Sequence, residues 1–461
     1  MPTIAERLAA LTAAITYADL SDAAVHWAKV AILDTVGCTL AGANEECARI
    51  ADRITTLGGS TGDSLIFGSD RRVRPMDAAL INGTASHALD YDDCSDTLGG
   101  HPSAPILPAL FALAETRPTS GRDFLAAYVA GWELETRIAR GVNFHHYEKG
   151  WHPTATLGVF GSAAACAHLL GLNSQQITTA LALAATFSSG IKSNFGTMTK
   201  PLHVGHAARN GLQAALLAAE GFTASADVFE HKQGFLNVFN GAGHFDVDRM
   251  FAERSEPWDI VSPGVAIKQY PCCGSTHPAI DALLMLVREH RFAPEQVDRV
   301  DSWTHPRRLN HTNRPDPQSE LDAKFSVQYC IARGIVSGRV SIEHFEGTSY
   351  QDADVQSVLQ RVHAAPHPNM SMDTFEHFGA EVRVTLTDGR VLTQSVTRPL
   401  GRGPTHPLPE ELLIAKFMNC AMRAIPEDAA THTLGMLRGL ESANSVRSLT
   451  NAMVTRSALA A

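Results

Sequence analysis

The sequence predicts a mainly α-helical protein: a large helical domain over 1–262, an inserted α+β domain over 263–402, and a helical return over 403–461. Three observations point there. In the first half, apolar residues recur at helical spacing, and stretches such as GVFGSAAACAH are so rich in Ala and Gly that they read as helices packed closely in a bundle. Near residue 260 this texture changes. Over 380–396 the chain then alternates apolar and polar residues on both sides of Asp388-Gly389, which reads as two strands joined by a two-residue hairpin turn.

Taken in order, Ser21 is a good N-cap for a helix over 22–40, with apolar positions at Val25, Ala28, Ala31, Ile32 and Val36. Gly42 is expected to close it. A short apolar run, Leu65-Ile66-Phe67, precedes a helix over 76–87. Helices follow at 104–116, 122–139, 155–170, 174–185 and 202–220. In the inserted part, a helix over 278–290 leads to a strand over 297–303. Helices over 324–333 and 354–363 come next, then the hairpin. After Pro409 the chain turns helical again and closes on a small-residue tail at 457–461.

At 461 residues the chain is too long for one ordinary core. With 44% hydrophobic and 19% charged residues it reads as globular rather than disordered. The formal net charge of -10 and the lack of any basic run beyond RRVR at 71–74 argue against a nucleic-acid surface. The opening MPTIAERLAALTAAI has neither a basic start nor a long apolar core, so no signal peptide is expected. No run of about 18 apolar residues predicts a membrane span. Eight cysteines without framework spacing fit reduced thiols and a cytoplasmic setting.

Residues 89–107, LDYDDCSDTLGGHPSAPIL, hold the densest polar chemistry. Asp90, Asp92, Asp93 and Asp96 crowd one short segment, pinned between apolar runs and ending in His101 before Pro102. Such a loop is either a solvated acidic turn or an acid/base wall. Four more segments place polar groups where apolar patterning would not. HHYEKGWHP brings His145, His146, Tyr147 and Lys149, with His152 at the mouth of the next helix. TKPLHVGH puts Lys200 at a helix entry, where it suits a carboxylate. YPCCGSTHP sets Gly274, Ser275, Thr276 and His277 as the N-terminal lip of a helix, a place that favours anions. DAKFSVQYC puts Lys324, Gln328 and Tyr329 on one amphipathic helix, the first two a turn apart. Taken singly, each group has an ordinary alternative as a core histidine, a solvated cap lysine or a core tyrosine.

No dinucleotide fingerprint, P-loop, HExxH, nucleophile elbow or EF-hand order is present. His203 and His206 share a helix face but have no nearby carboxylate, so no metal is expected. No phosphate loop accompanies Lys200, so no cofactor is expected either. The set suits removal of a proton next to a carboxylate, with cationic groups holding the developing charge. Loss of water, loss of CO₂, or neither would then define a dehydratase, a decarboxylase or an epimerase.

The stretches AILDTVGCTLAGA, NGTASHALDYDD, GGHPSAPILPAL, WHPTATLGVFGSAAA, TKPLHVGHAARNG, YPCCGSTHPAIDAL and DAKFSVQYCIARGIVSG run in order from about residue 30 to 340. In them the chain resembles the MmgE/PrpD family. The resemblance implies a helical domain built from both chain ends, a smaller α+β lid and a homodimer. It also implies cofactor-free action on a small di- or tricarboxylate, with pocket residues Asp90, His101, His152, Lys200, His277 and Tyr329. Where decarboxylase-like members carry a threonine after the paired acidic residues, this chain has Cys94. Lys200, His152 and His101 are expected to bind carboxylates or hold charge, Asp90 to orient an imidazole, and Tyr329 or Tyr147 to hand over a proton. Dehydration of a 2-hydroxy tricarboxylate leads, followed by epimerisation of an aminodicarboxylate such as iminodisuccinate, then decarboxylation of cis-aconitate. A non-catalytic carboxylate binder with the same fold is the alternative of a different class.

Overall fold

The computed structural model describes residues 1–371 and 379–455, so the tail expected at 457–461 lies outside the described residues. The chain is mainly helical and divides into two compact units, Met1–Ile267 with Pro409–Ala461, and Lys268–Leu408. Among the described residues no helix is long and apolar enough to cross a membrane.

The first unit is a helical assembly with two small two-stranded ribbons. Its inner helices include Asp22–Gly42, Pro75–His87, Ser103–Ala114, Gly121–Val142, Gly158–Leu169 and Thr199–Ala219. The reason for so much Ala and Gly is close approach of backbones. A Cβ on Gly205 would lie 2.4 Å from the Leu80 carbonyl oxygen, and one on Gly83 would lie 2.9 Å from the Gly205 Cα. Pro75–His87 and Thr199–Ala219 therefore meet along a seam where only small residues fit. Gly42 belongs to the same logic and corrects the expectation of a helix stop. Ala43 is the C-cap, and a Cβ on Gly42 would stand 2.0 Å from the Ala85 carbonyl oxygen.

The return segment reaches into this unit. Lys416, on helix Glu410–Ala421, is buried, pairs with Asp34 at 2.5 Å and donates to the Tyr91 carbonyl at 2.8 Å. The helix expected over 155–170 is two pieces, Pro153–Thr156 and Gly158–Leu169, broken at Leu157.

The second unit carries a four-stranded sheet in the order Val362–Pro366, Val297–Thr304, Ala380–Leu386, Val391–Val396. The first pair is parallel and the other two are antiparallel. Val300, Val382 and Val384 are buried with Leu283 and Ile331 in one apolar cluster. Three expectations need correction here. Residues 324–333 are not one helix: Glu320–Lys324 ends, and Ser326 caps Val327–Ser337 by accepting from the Tyr329 N–H at 2.9 Å. Lys324 and Gln328 therefore do not share a helix. The segment expected as helix to 363 stops at Leu359, and His363 joins the parallel strand. The hairpin loop has three residues, because the Leu386 N–H donates to the Arg390 carbonyl and Gly389 sits at φ 87°.

Gly42→Ala tests the close-packing role. Its new methyl would meet backbone rather than a movable side chain, so we expect roughly 1–3 kcal/mol of destabilisation. Urea unfolding reads this, and an unchanged midpoint would show that the two helices can part at no cost.

Candidate active site

The Pro75–His87 helix ends in a turn that folds the acidic segment back on itself. Asp90 takes a left-handed backbone, φ 53°, and its N–H donates to the His87 carbonyl at 3.2 Å. Aspartate tolerates this region better than most residues. The strand Cys94–Ser95 then pairs with Val265–Ala266, and the loop closes where Ser95 N–H donates to the Gly100 carbonyl. At its end the His101 N–H donates to the Thr154 hydroxyl at 3.1 Å, on the short Pro153–Thr156 helix. The turn is thus tied down at several points.

It is not a solvated acidic turn. Asp90, Asp92 and Asp93 are all buried. Asp93 faces away from the others and accepts from the Ser103 N–H at 3.3 Å and from the Ser103 hydroxyl. That hydroxyl also lies 2.6 Å from the Tyr128 hydroxyl. Burial pushes the Asp93 carboxyl well up, so it acts as a neutral clamp on the start of the Ser103–Ala114 helix.

Asp90 and Asp92 line a cluster with three basic groups. His87 Nδ1 lies 2.9 Å from Asp92 Oδ2, and His101 Nδ1 lies 3.0 Å from the same oxygen. On its other side, His101 Nε2 is 3.4 Å from Asp90 Oδ1, and that oxygen accepts from Lys200 Nζ at 2.9 Å. Cys94 Sγ is 3.8 Å from His101 Nδ1. The His152 ring centre is 5.7 Å from that of His87, and its Nδ1 faces His203 Nδ1 at 3.3 Å. Phe195 closes one flank, edge-on to His152 at 4.8 Å.

Burial pushes His87 down to about 4 and His152 well below the usual histidine range, so both rings are neutral at pH 7. Burial alone would raise Asp92, but the His101 and His87 rings outweigh it and hold that carboxyl well below the carboxylate range.

Of the residues expected from sequence, Asp90, Cys94, His101, His152 and Lys200 therefore come together in the first unit. Tyr147 is also in this unit, and the Lys192 ammonium stands 3.3 Å from its ring centre. His145 and His146 are tied to Asn240 rather than to the cluster. Ser275, Thr276, His277 and Tyr329 belong to the second unit. There the Thr276 hydroxyl is turned inward and donates to the Cys273 carbonyl at 2.8 Å, while Ser275 Oγ pairs with His311 Nε2 at 3.1 Å. His277 is buried at the start of His277–His290, edge-on to Tyr270. Tyr329 is fully buried, donates to the His344 carbonyl and accepts from Arg333, and burial pushes its hydroxyl up to about 12.

Sequence reasoning missed His87 and passed over Asp92. His87 was read as part of an apolar helix, although a histidine in the last turn before DYDD was a signal. Together His87, Asp90, Asp92 and His101 offer ligand atoms all within 4.8 Å of one another. The set does not suit a resident divalent cation. Lys200 already places an ammonium on Asp90, and Asp92 accepts from two rings, so a metal would have to displace both.

Comparison with known proteins adds the family. The model of the MmgE/PrpD N-terminal domain matches residues 6–248, more than half of the chain, and that of the C-terminal domain matches 270–441. The chain belongs to the MmgE/PrpD family. Its relatives include a cis-aconitate decarboxylase of Homo sapiens, 30% identical over 96% of this chain and 92% of that protein. One from Aspergillus terreus is 27% identical over 92% of this chain and 90% of its own. A 2-methylcitrate dehydratase of Salmonella typhimurium is 23% identical over 89% of each. In this MmgE/PrpD chain the motif stretches quoted above supply His87, Asp90, Asp92, His101, His152 and Lys200, from HALDYDD, GGHPS, WHPTA and TKPLH.

The buried neutral rings give the fold an acid sensitivity. His87 binds a proton near pH 6.5 when unfolded but only near 4 when folded, so its share of stability is intact above pH 6.5 and is lost on acidification toward 4. That share is about 3 kcal/mol, and His146, also pushed down to about 4 by burial, acts in the same direction. Urea unfolding between about pH 7.5 and about pH 5 should show stability falling with pH, less steeply in His87→Asn. A profile equally steep in His87→Asn would mean that His87 titrates alike in the folded and unfolded chain.

Proposed function

We propose that this chain is a cofactor-independent lyase acting on a small di- or tricarboxylate, and that loss of CO₂ from a cis-aconitate-like tricarboxylate is its leading reaction. The observation that carries the reading is the cluster itself. Two carboxylates, Asp90 and Asp92, hold His101 between them, with the Lys200 ammonium and the buried imidazoles of His87 and His152 alongside. Lys200 takes a substrate carboxylate, for which it would exchange Asp90. As the C–CO₂ bond breaks, its electron pair moves into the neighbouring unsaturated carboxylate system, and the cationic side of the cluster holds that charge. A proton from the site then completes the carbon skeleton.

Support for decarboxylation over dehydration comes from the relatives: the human decarboxylase is 30% identical, against 23% for the bacterial dehydratase. This reverses the order that motif reading gave. Dehydration remains the second reading, since the same acid that delivers a proton to carbon can deliver one to a leaving hydroxyl. Cys94, where a threonine was expected of a decarboxylase, weighs against the leading reading without favouring the second. Epimerisation ranks third, because the relatives reported above are named as decarboxylases and a dehydratase. We further propose that the enzyme works as a homodimer.

Proton NMR in D₂O with cis-aconitate, 2-methylcitrate, citrate and iminodisuccinate separates these readings. Loss of CO₂ with deuterium at the new carbon position is expected from cis-aconitate. Water loss from 2-methylcitrate would promote the second reading. Lys200→Ala and His101→Gln should each lower turnover by about 10²–10⁴-fold. Undiminished turnover in both would remove this cluster from the chemistry. Thermal stabilisation by these acids with no turnover of any would leave a carboxylate binder.

A further inference from the structure

We infer that His87 and Asp92 are positioning residues that fix where the site keeps its transferable proton: His87 is held neutral so that His101 is held as the imidazolium. The kinetic consequence rests on the lyase reading, but the charge pattern stands on geometry alone.

The pattern follows from what each ring nitrogen meets. Both nitrogens of His101 face carboxylate oxygens, Nδ1 toward Asp92 at 3.0 Å and Nε2 toward Asp90 at 3.4 Å. An imidazole offers a proton in both directions only when it is cationic. His87 is different. Its Nδ1 faces Asp92, with 3.0 and 2.9 Å to the two oxygens, while its Nε2 is buried with no hydrogen-bond partner among the described residues. One donor and one bare lone pair describe the neutral ring with its proton on Nδ1.

Charge counting agrees. Asp90 and Asp92 contribute two negative charges, and Lys200 and His101 contribute two positive ones. A third cation, on the fully buried His87 ring, would be uncompensated, and burial pushes that ring down accordingly. The groups facing His101 are Asp90, Asp92 and Cys94 from the acidic turn, His87 from Pro75–His87, Lys200 from Thr199–Ala219, and His152 from the segment before Pro153–Thr156. Asp92 thus serves two rings and leaves only one charged. The His87 N–H takes up part of that carboxylate and so limits how tightly Asp92 holds the proton of His101. His87 makes the proton available, and Asp92 keeps it present.

Nitrogen-15 NMR of the histidine rings in the full chain tests this without any substrate. His101 and His87 are assigned from the signals lost in His101→Gln and His87→Asn. At neutral pH the unaltered protein should show His101 as imidazolium and His87 as the Nδ1-protonated neutral ring. In Asp92→Asn the imidazolium should give way to the neutral form at a pH at least about one unit lower, a tenfold shift in proton affinity. In His87→Phe it should persist to a pH about one unit higher, and the alkaline limb of kcat should move with it. His87→Asn, which keeps a donor toward Asp92, should restore both. A charged His87 or a neutral His101 in the unaltered protein overturns the inference even if the variants do not fold. So does an Asp92→Asn protein whose His101 titrates unchanged. The expected charge pattern without turnover of any polycarboxylate would instead overturn the lyase reading and leave this inference intact.

Discussion

A carboxylate cut off from water must be paired, and Asp92 is the point at which this chain meets that requirement. Its two oxygens are shared between His87, at the end of one helix, and His101, at the far end of the acidic turn. Breaking both contacts would leave a buried charge without a partner, which costs several kcal/mol, and losing one leaves it half-satisfied. The turn therefore cannot open, shift register or face solvent without losing the fold around it. Asp90 extends the same chain of contacts to Lys200, on a third element. Polar chemistry and tertiary structure are one network here.

The bundle is built to allow this. Gly83 and Gly205 let the Pro75–His87 and Thr199–Ala219 helices approach until their backbones touch, which brings the end of one helix to the start of the other. Lys200 is only half-buried, yet it meets Asp90 because its helix begins beside the acidic turn. On the other face of that turn, Asp93 is a neutral acid bonded to Ser103, whose hydroxyl in turn meets that of Tyr128. Adjacent aspartates, Asp92 and Asp93, thus take opposite protonation states. The one between imidazoles is ionised, and the one among hydroxyls and apolar walls is not.

Much of this was legible in the residues. The helical period, the texture change near 260 and the alternation over 380–396 correspond to real elements, because burial on one face writes its period into the sequence. Local breaks were not legible. Phe325-Ser326 and Leu157 interrupt helices whose apolar pattern runs straight through, and only the cap at Ser326 marks the first of them. Gly42 was read by its most frequent role, as a helix stop, whereas its neighbour across space is Ala85, which no local rule reveals. The cluster was half legible. Asp90, His101, His152 and Lys200 stand out as polar residues beside proline or glycine in apolar surroundings. His87 hides because it continues a helix, and its partner is five residues away around a turn. Thr276 and Tyr329 carry a feature that sequence does not show: their hydroxyls bond to backbone carbonyls within the second unit.

Lys416 gives the assembly an order in time. It reaches the Tyr91 carbonyl across 325 positions and is the partner of buried Asp34. At the usual pace of translation that gap takes on the order of tens of seconds. During that interval the first helices and the acidic turn exist without the cation that neutralises Asp34. The face of the Asp22–Gly42 helix that carries Asp34 and Gly37, which Lys416 and Phe417 later cover, stays bare while the whole second unit is made. The buried carboxylate of Asp34 thus gains its cation only in the last stretch of synthesis.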